Sequence, residues 1–213
     1  MGVSIGVAVG LYGVSFGALS VAAGLTLAQT CALSLLMFTG GSQFAFVRVI
    51  SGGGTLPAAT TAASLLGLRN GVYGVQLNAN FRPAHAWKPL AAHFTIDEST
   101  ATALGQSDAD EQRRGFWTAG VGVFVFWNLS TLVGALIGER LGDPAAWGLD
   151  GAAVAAFLGL LWPRLKGRDA HFIAVAAAFV TLVAVPLVPA GIPIIVAAVI
   201  SGAMAVAQHR RDS

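Results

Sequence analysis

The sequence predicts an all-α, polytopic integral membrane protein, and three observations carry that expectation. Only 10% of the 213 residues are charged and 55% are hydrophobic, where a soluble domain carries about 25% charged residues. Stretches without Asp, Glu, Lys or Arg run over 2–47, 49–68, 115–138 and 170–209. Each is long enough for a helix of roughly 20 residues across a ~30 Å hydrocarbon layer. The apolar residues come as continuous runs of Ala, Val, Leu and Ile, not as the alternating segments of a β-barrel. Lipid offers the backbone no partners, so each span must close its own hydrogen bonds as a helix. The mean hydropathy of +0.73 agrees.

Gly, Pro and charge divide the chain into seven expected spans, at about 3–23, 29–50, 56–79, 115–138, 146–163, 170–188 and 191–208 of a single domain over 1–213. No charged n-region precedes the first run, so no cleavable signal peptide is expected. "AGLTLAQT" turns the chain into the second span, with Thr26 as its expected N-cap. "SGGGTLP" leads into the third span and "GERLGDPAAW" leaves the fourth. "PRLKGRD" follows the fifth, and "VPLVPAGIP" divides the last two. The segment 80–114 is the one long polar stretch, with Arg82, Lys88, Arg113 and Arg114 among its charges. Cys31 is the single cysteine, which excludes an internal disulfide. Trp87, Trp147 and Trp162 fit interfacial anchors.

With seven spans, one face receives the 26-region turn, the 80–114 loop, "PRLKGRD" and the C-terminus, with nine Lys and Arg against only Arg48 and Arg140 opposite. The positive-inside rule then puts the long loop and C-terminus in the cytoplasm and the N-terminus outside.

Several polar groups break the apolar pattern. Arg69 falls in the middle of the third span, where insertion scales charge about 2.5–3.5 kcal/mol for an arginine. Its planar fork suits an anionic group such as a carboxylate; the plainer reading is a pairing that only joins helices. Asn70, Tyr73, Gln76 and Asn78 extend that polarity, with Arg69, Tyr73 and Gln76 on one helical face. In "FTGGSQFAF", Gly40 and Gly41 weaken the second span, and Ser42 and Gln43 follow. A break there frees backbone groups for a ligand; alternatively the glycines serve close packing. In "HFTIDESTATALGQ", the spacing Thr95 to Glu98 reads as a capping box, placing Asp97 and Glu98 at a helix N-terminus. These carboxylates could lie on a re-entrant or interfacial segment, at the mouth of a pathway for a proton or an ammonium, or simply on a capped surface helix. Asp150 is an N-cap of the fifth span or a second gating carboxylate. Trp127 and Asn128 could line a cavity. No catalytic set, metal-ligand spacing or nucleotide-binding loop is present. An enzyme, a cofactor, a metal and a nucleic-acid partner are therefore not expected.

"SFGALSVAAG" (15–24) is faintly similar to "LVGALIGERLG" (132–142). Odd-numbered repeats insert in opposite senses, so this suggests two inverted three-helix repeats plus one extra helix, with broken helices near the glycine-rich motifs.

Taken in order, "GVSFGALSVAAGLTLAQTCALSLLMFTGGSQF", "LRNGVYG", "FTIDESTATAL" and "GLDGAAVAAFLGLL" resemble the AzlC-type branched-chain amino acid permeases, over roughly residues 10–165. The sequence departs from that pattern in the extra Ile96 of F-T-I-D-E, in "GLRN", and in Gly151, where an aromatic is usual. The resemblance implies a secondary transporter of the bacterial cytoplasmic membrane, exporting branched-chain or similar amino acids on the proton gradient. It implies a small AzlD-type membrane subunit as partner. Gly40, Gly41, Ser42, Gln43, Arg69, Asn70, Tyr73, Trp127 and Asn128 would bind substrate, and Asp97, Glu98 and Asp150 would couple or gate. A channel or scaffold subunit, or the permease of an ATP-driven system, are the competing classes.

Overall fold

The computed structural model describes residues 2–81, 84–141, 144–148, 151, 154, 155, 158, 159, 161, 162, 165–189 and 192–212. All regular structure among them is helical. In chain order the helices are α1 (Gly2–Ala22), α2 (Leu27–Leu36), α3 (Gly40–Ser51), α4 (Leu56–Phe81), α5 (Lys88–His93), α6 (Asp97–Leu104), α7 (Ala109–Leu141), α8 (Gly167–Ala184) and α9 (Ile192–Asp212). Short 3₁₀ turns at His85–Trp87 and Pro144–Trp147 complete the pattern. Three segments are long and apolar enough to cross a membrane: Ser4–Ala22, Ala109–Arg140 and Gly167–Ala184. Helix α4, at 26 residues, spans about 39 Å at 1.5 Å per residue, with its polarity concentrated around Arg69. Eight of the eighteen residues of the expected span 146–163, including Asp150, lie outside the described residues.

Helices α1 and α7 lie side by side and run parallel. Gly6 faces Gly122, Gly10 faces Ser130, Gly13 faces the carbonyl of Trp127, and Gly17 faces Thr131 and Gly134. These four glycines recur at i, i+4, i+7 and i+11, one face of a helix, and small residues there let two backbones touch. A Cβ on Gly17 would collide with the Thr131 carbonyl oxygen, and one on Gly134 with that of Val14. This seam explains the likeness of 15–24 to 132–142. The two stretches are complementary faces of one parallel contact, with Ala18 against Gly138, and an inverted pair would run antiparallel.

The expected span 29–50 is not one crossing. Thr26 caps α2 as expected, and Gln29 reciprocates: the Gln29 N–H donates to Thr26 Oγ1 at 3.2 Å. The Thr26 N–H donates in return to Gln29 Oε1 at 2.9 Å. Helix α2 then runs back along α7, placing the Ser34 hydroxyl 3.3 Å from that of Thr131 and the Phe38 ring 5.0 Å from Phe124. The chain breaks over 37–39 and reverses. Phe44 of α3 returns to Phe16 and Trp127, while Phe46 and Ile50 share a cavity with Ala23, Gly24 and Gln29. Helices α2 and α3 thus form a re-entrant hairpin, because the glycines that loosen the helix sit in the first turn of α3. Helix α4 packs antiparallel on α3, with Ala59 and Ala62 against Val49 and Ala45.

Within the polar segment expected as a loop, residues 88–104 form a second re-entrant hairpin. Helix α5 descends to His93 and Phe94, which meet Phe124; α6 then rises until Thr102 meets Gly115 near the start of α7. The N-cap of α6 differs from the expected Thr95. Its residue is Ile96, whose N–H donates to Ser99 Oγ at 3.1 Å, while the Thr95 hydroxyl donates back to Ala91 O at 2.8 Å. The extra Ile96 shifts the helix start by one residue, which leaves Asp97 and Glu98 in the first turn as anticipated. The two hairpins enter the bundle from opposite ends and meet at their apices, where the Phe38 and Phe94 rings pack edge-on at 5.8 Å.

Candidate functional site

A cavity of about 240 Å³ lies where the two hairpins meet. Its apolar wall includes Val9, Phe38, Phe44, Ile96, Val123 and Trp127, and its polar groups come from Tyr12, Thr39, Arg69, Asp97 and Glu98. Gly40 and Gly41 bring the first turn of α3 to the same wall. Thr39 is extended and gives that turn no side-chain cap, and a helix N-terminus without one presents free N–H groups and partial positive charge. The first turn of α6 reaches the cavity through Asp97 and Glu98. One half-helix therefore offers amides, the other carboxylates.

Arg69 reaches from the middle of α4 to α6. Its Nη2 lies 2.8 Å from Asp97 Oδ2, and the Tyr73 hydroxyl donates to Asp97 Oδ1 at 2.9 Å. The Arg69 Nε–H is buried without a partner, as is the Asn70 amide oxygen next to it. The i, i+4 spacing of Arg69 and Tyr73 is what lets both reach one carboxylate from the same helix face.

A reciprocal contact crosses the other way. Trp127 of α7 lies against Gly40, 3.1 Å from the place a Cβ would take, and its indole N–H donates to Gln43 Oε1 at 2.9 Å. The Gln43 amide donates to the carbonyls of Leu33, Ser34 and Met37 at 3.4, 3.3 and 2.8 Å. The Leu33 and Met37 carbonyls also accept the backbone N–H groups of Met37 and Thr39, so Gln43 adds a second donor at the end of α2 and ties the break to α3.

The structure brings together six of the expected site residues on the cavity wall: Gly40, Gly41, Arg69, Asp97, Glu98 and Trp127. Tyr73 acts through Asp97. Gln43, fully buried, holds the break and the indole. The Ser42 hydroxyl points to Gly67 of α4, 3.4 Å from its Cβ position; Asn70 lines a separate cavity; and the Asn128 amide donates to its own helix at Phe124 O. These three expected residues lie off the cavity wall because successive residues on a helix point about 100° apart. Tyr12, Thr39 and Gly159 are wall residues absent from the sequence expectation. Tyr12 interrupts an apolar span and was the one legible signal. No cluster of metal ligands occurs among the described residues.

Fold and cavity together define a polytopic helical membrane protein built round two half-helix pairs. The family model described as AzlC protein matches residues 4–141, and the chain belongs to that family. It is 22% identical over 163 residues to an uncharacterized membrane protein of Helicobacter pylori, covering 76% of this chain and 71% of that one. No solved structure matches. The family and the apolar helices make this a membrane transport-related protein.

Proposed function

We propose that this chain is a secondary-transport subunit that carries a zwitterionic amino acid, branched-chain or similar, through the cavity between the hairpins. The observation that carries the reading is the polarity of that cavity: uncapped amides at Gly40 and Gly41 on one side, carboxylates of Asp97 and Glu98 on the other, aromatic side chains between. An α-carboxylate would take the α3 amides and the free Arg69 Nε–H. An ammonium would take Glu98, since Asp97 is held by Arg69 and Tyr73. An aliphatic side chain would lie against Phe38, Phe44 and Trp127. Export, driven by the proton gradient and completed by a small AzlD-type membrane subunit, is the form the family resemblance favours.

Efflux of valine or leucine from loaded vesicles, with and without a pH gradient, tests this. The expected result is saturable efflux that steepens with the gradient. Flux that rises linearly without saturation would replace the carrier with a channel.

The hairpins also bear on orientation. Because α2 and α3 turn back, α1 and α7 start at the same end, with the 82–108 segment between α4 and α7. The connection from α4 into α7 holds four basic residues, Arg82, Lys88, Arg113 and Arg114, against Arg48 and Arg140 at the opposite end. Under the positive-inside rule the N-terminus then joins this segment in the cytoplasm, opposite to the outside location that seven crossings imply.

A further inference from the structure

A second cavity, of about 540 Å³, opens between α4 and α5, lined by Asn70, Gly74, Asn78, Lys88, Ala92 and Thr95 among others. At two places, consecutive residues of the chain line the first cavity and this one. On α4, Arg69 faces the first cavity and Asn70 the second; on the hairpin, Ile96 faces the first and Thr95 the second. We propose that the wall between the two cavities is a gate. The α5–α6 hairpin moves away from α4, joins the two cavities, and gives the inner one a path to the face that carries residues 84–93. The proposal rests on the inner cavity being the ligand site, and it adds which wall opens, toward which face, and what holds it shut.

Three observations support the choice of this wall. The hairpin arms are buried unequally: Gly41 to Ala45, Val47 and Val49 of α3 are buried, whereas in α5 only Ala91 is. The buried Ser99, Thr100 and Ala103 belong to α6, the arm that packs chiefly against α7. The first break is also fastened by four hydrogen bonds through Gln43. The second is tied to α4 by the side chains of Arg69 and Tyr73 converging on Asp97. Finally, two buried polar atoms without partners, Arg69 Nε and Asn70 Oδ1, sit at the wall itself. A buried polar atom left unpaired costs roughly 1–3 kcal/mol, and water entering an opened wall would satisfy both. The Arg69–Asp97–Tyr73 contact thus helps hold the wall closed, and the two orphaned groups oppose it. A ligand carboxylate that competes with Asp97 for Arg69 would release it.

The test is thiol accessibility, which needs no substrate. With Cys31→Ser as background, Val9→Cys reports the inner cavity, and Ala84→Cys marks the face beside α5. A membrane-impermeant cationic methanethiosulfonate is applied to each face of sealed membrane vesicles in turn. Weakening the Arg69–Asp97 contact with Asp97→Asn should raise labelling of Val9→Cys roughly tenfold, the equivalent of about 1.4 kcal/mol, from the face that labels Ala84→Cys. If Asp97→Asn does not accumulate, because it leaves Arg69 uncompensated, the doubly neutral Arg69→Gln/Asp97→Asn replaces it. An unchanged labelling rate, or a rise from the opposite face only, overturns the gate. Saturable efflux beside unchanged labelling would leave the carrier standing with a different wall moving, and gated labelling without efflux would leave the gate standing with a different ligand.

Discussion

Arg69 owes its place to one carboxylate. A guanidinium in mid-span is tolerable when a planar partner meets it, and Asp97 does so at 2.8 Å with Tyr73 on its other oxygen. Lysine would keep the charge but lose the fork that spans both Asp97 and the cavity. Arg69→Lys is therefore expected to insert normally and lose most transport, measured as efflux per inserted protein; near-normal efflux would make Arg69 a purely structural residue. Trp127→Phe keeps an aromatic ring on α7 but removes both the donor to Gln43 and the distal ring edge that meets Gly40. The loss of a buried hydrogen bond should lower stability by about 1–2 kcal/mol, read as a lower midpoint in thermal unfolding in detergent. The sequence showed that both residues were out of place in lipid. It could not show that their partners lie 28 and 84 residues away along the chain, since a pairing of that range is made only by packing.

Among the elements, the α1–α7 pair is the one fixed most tightly by composition. Gly17 meets the Thr131 carbonyl with no room for a methyl group, while Gly71 on α4 has nothing within 4 Å of its Cβ position. Gly17→Ala should cost about 1–3 kcal/mol through overpacking and separation of the helices. Gly71→Ala should be neutral or slightly stabilising, since alanine favours the helix by about 1 kcal/mol over glycine. Comparing the two unfolding midpoints checks whether the seam, rather than glycine content, sets stability. The helices themselves were legible: the ends of α1 and α4 fall within two residues of the expected spans, and Thr26 caps α2 as expected. The hairpins were half legible. "FTGGSQFA" (38–45) and "FTIDESTA" (94–101) each announce a break, but a break that continues and a break that reverses have the same local pattern.

At the scale of the molecule, reversal of the second predicted span underlies the proposed cytoplasmic N-terminus. A reporter fused ahead of Gly2 should be active only in the cytoplasm, together with one fused within 84–87. Reporters on opposite faces would restore the full crossing at 29–50.

By itself, the sequence determined that this chain is a helical membrane protein, that it belongs with the AzlC family, and that Arg69, Asp97, Glu98 and the glycine pair at 40–41 stand apart from lipid. Hydropathy and helix periodicity are local properties, and a few dozen residues suffice to express them. Only the tertiary structure decided that two half-helix pairs enter from opposite ends and bring their first turns to one cavity. It also decided that Gln43 serves the break and not the cavity, and that Arg69 pairs with Asp97. Those outcomes depend on which surfaces pack, and the glycines that let α1 and α7 touch lie far along the chain from the groups they bring together.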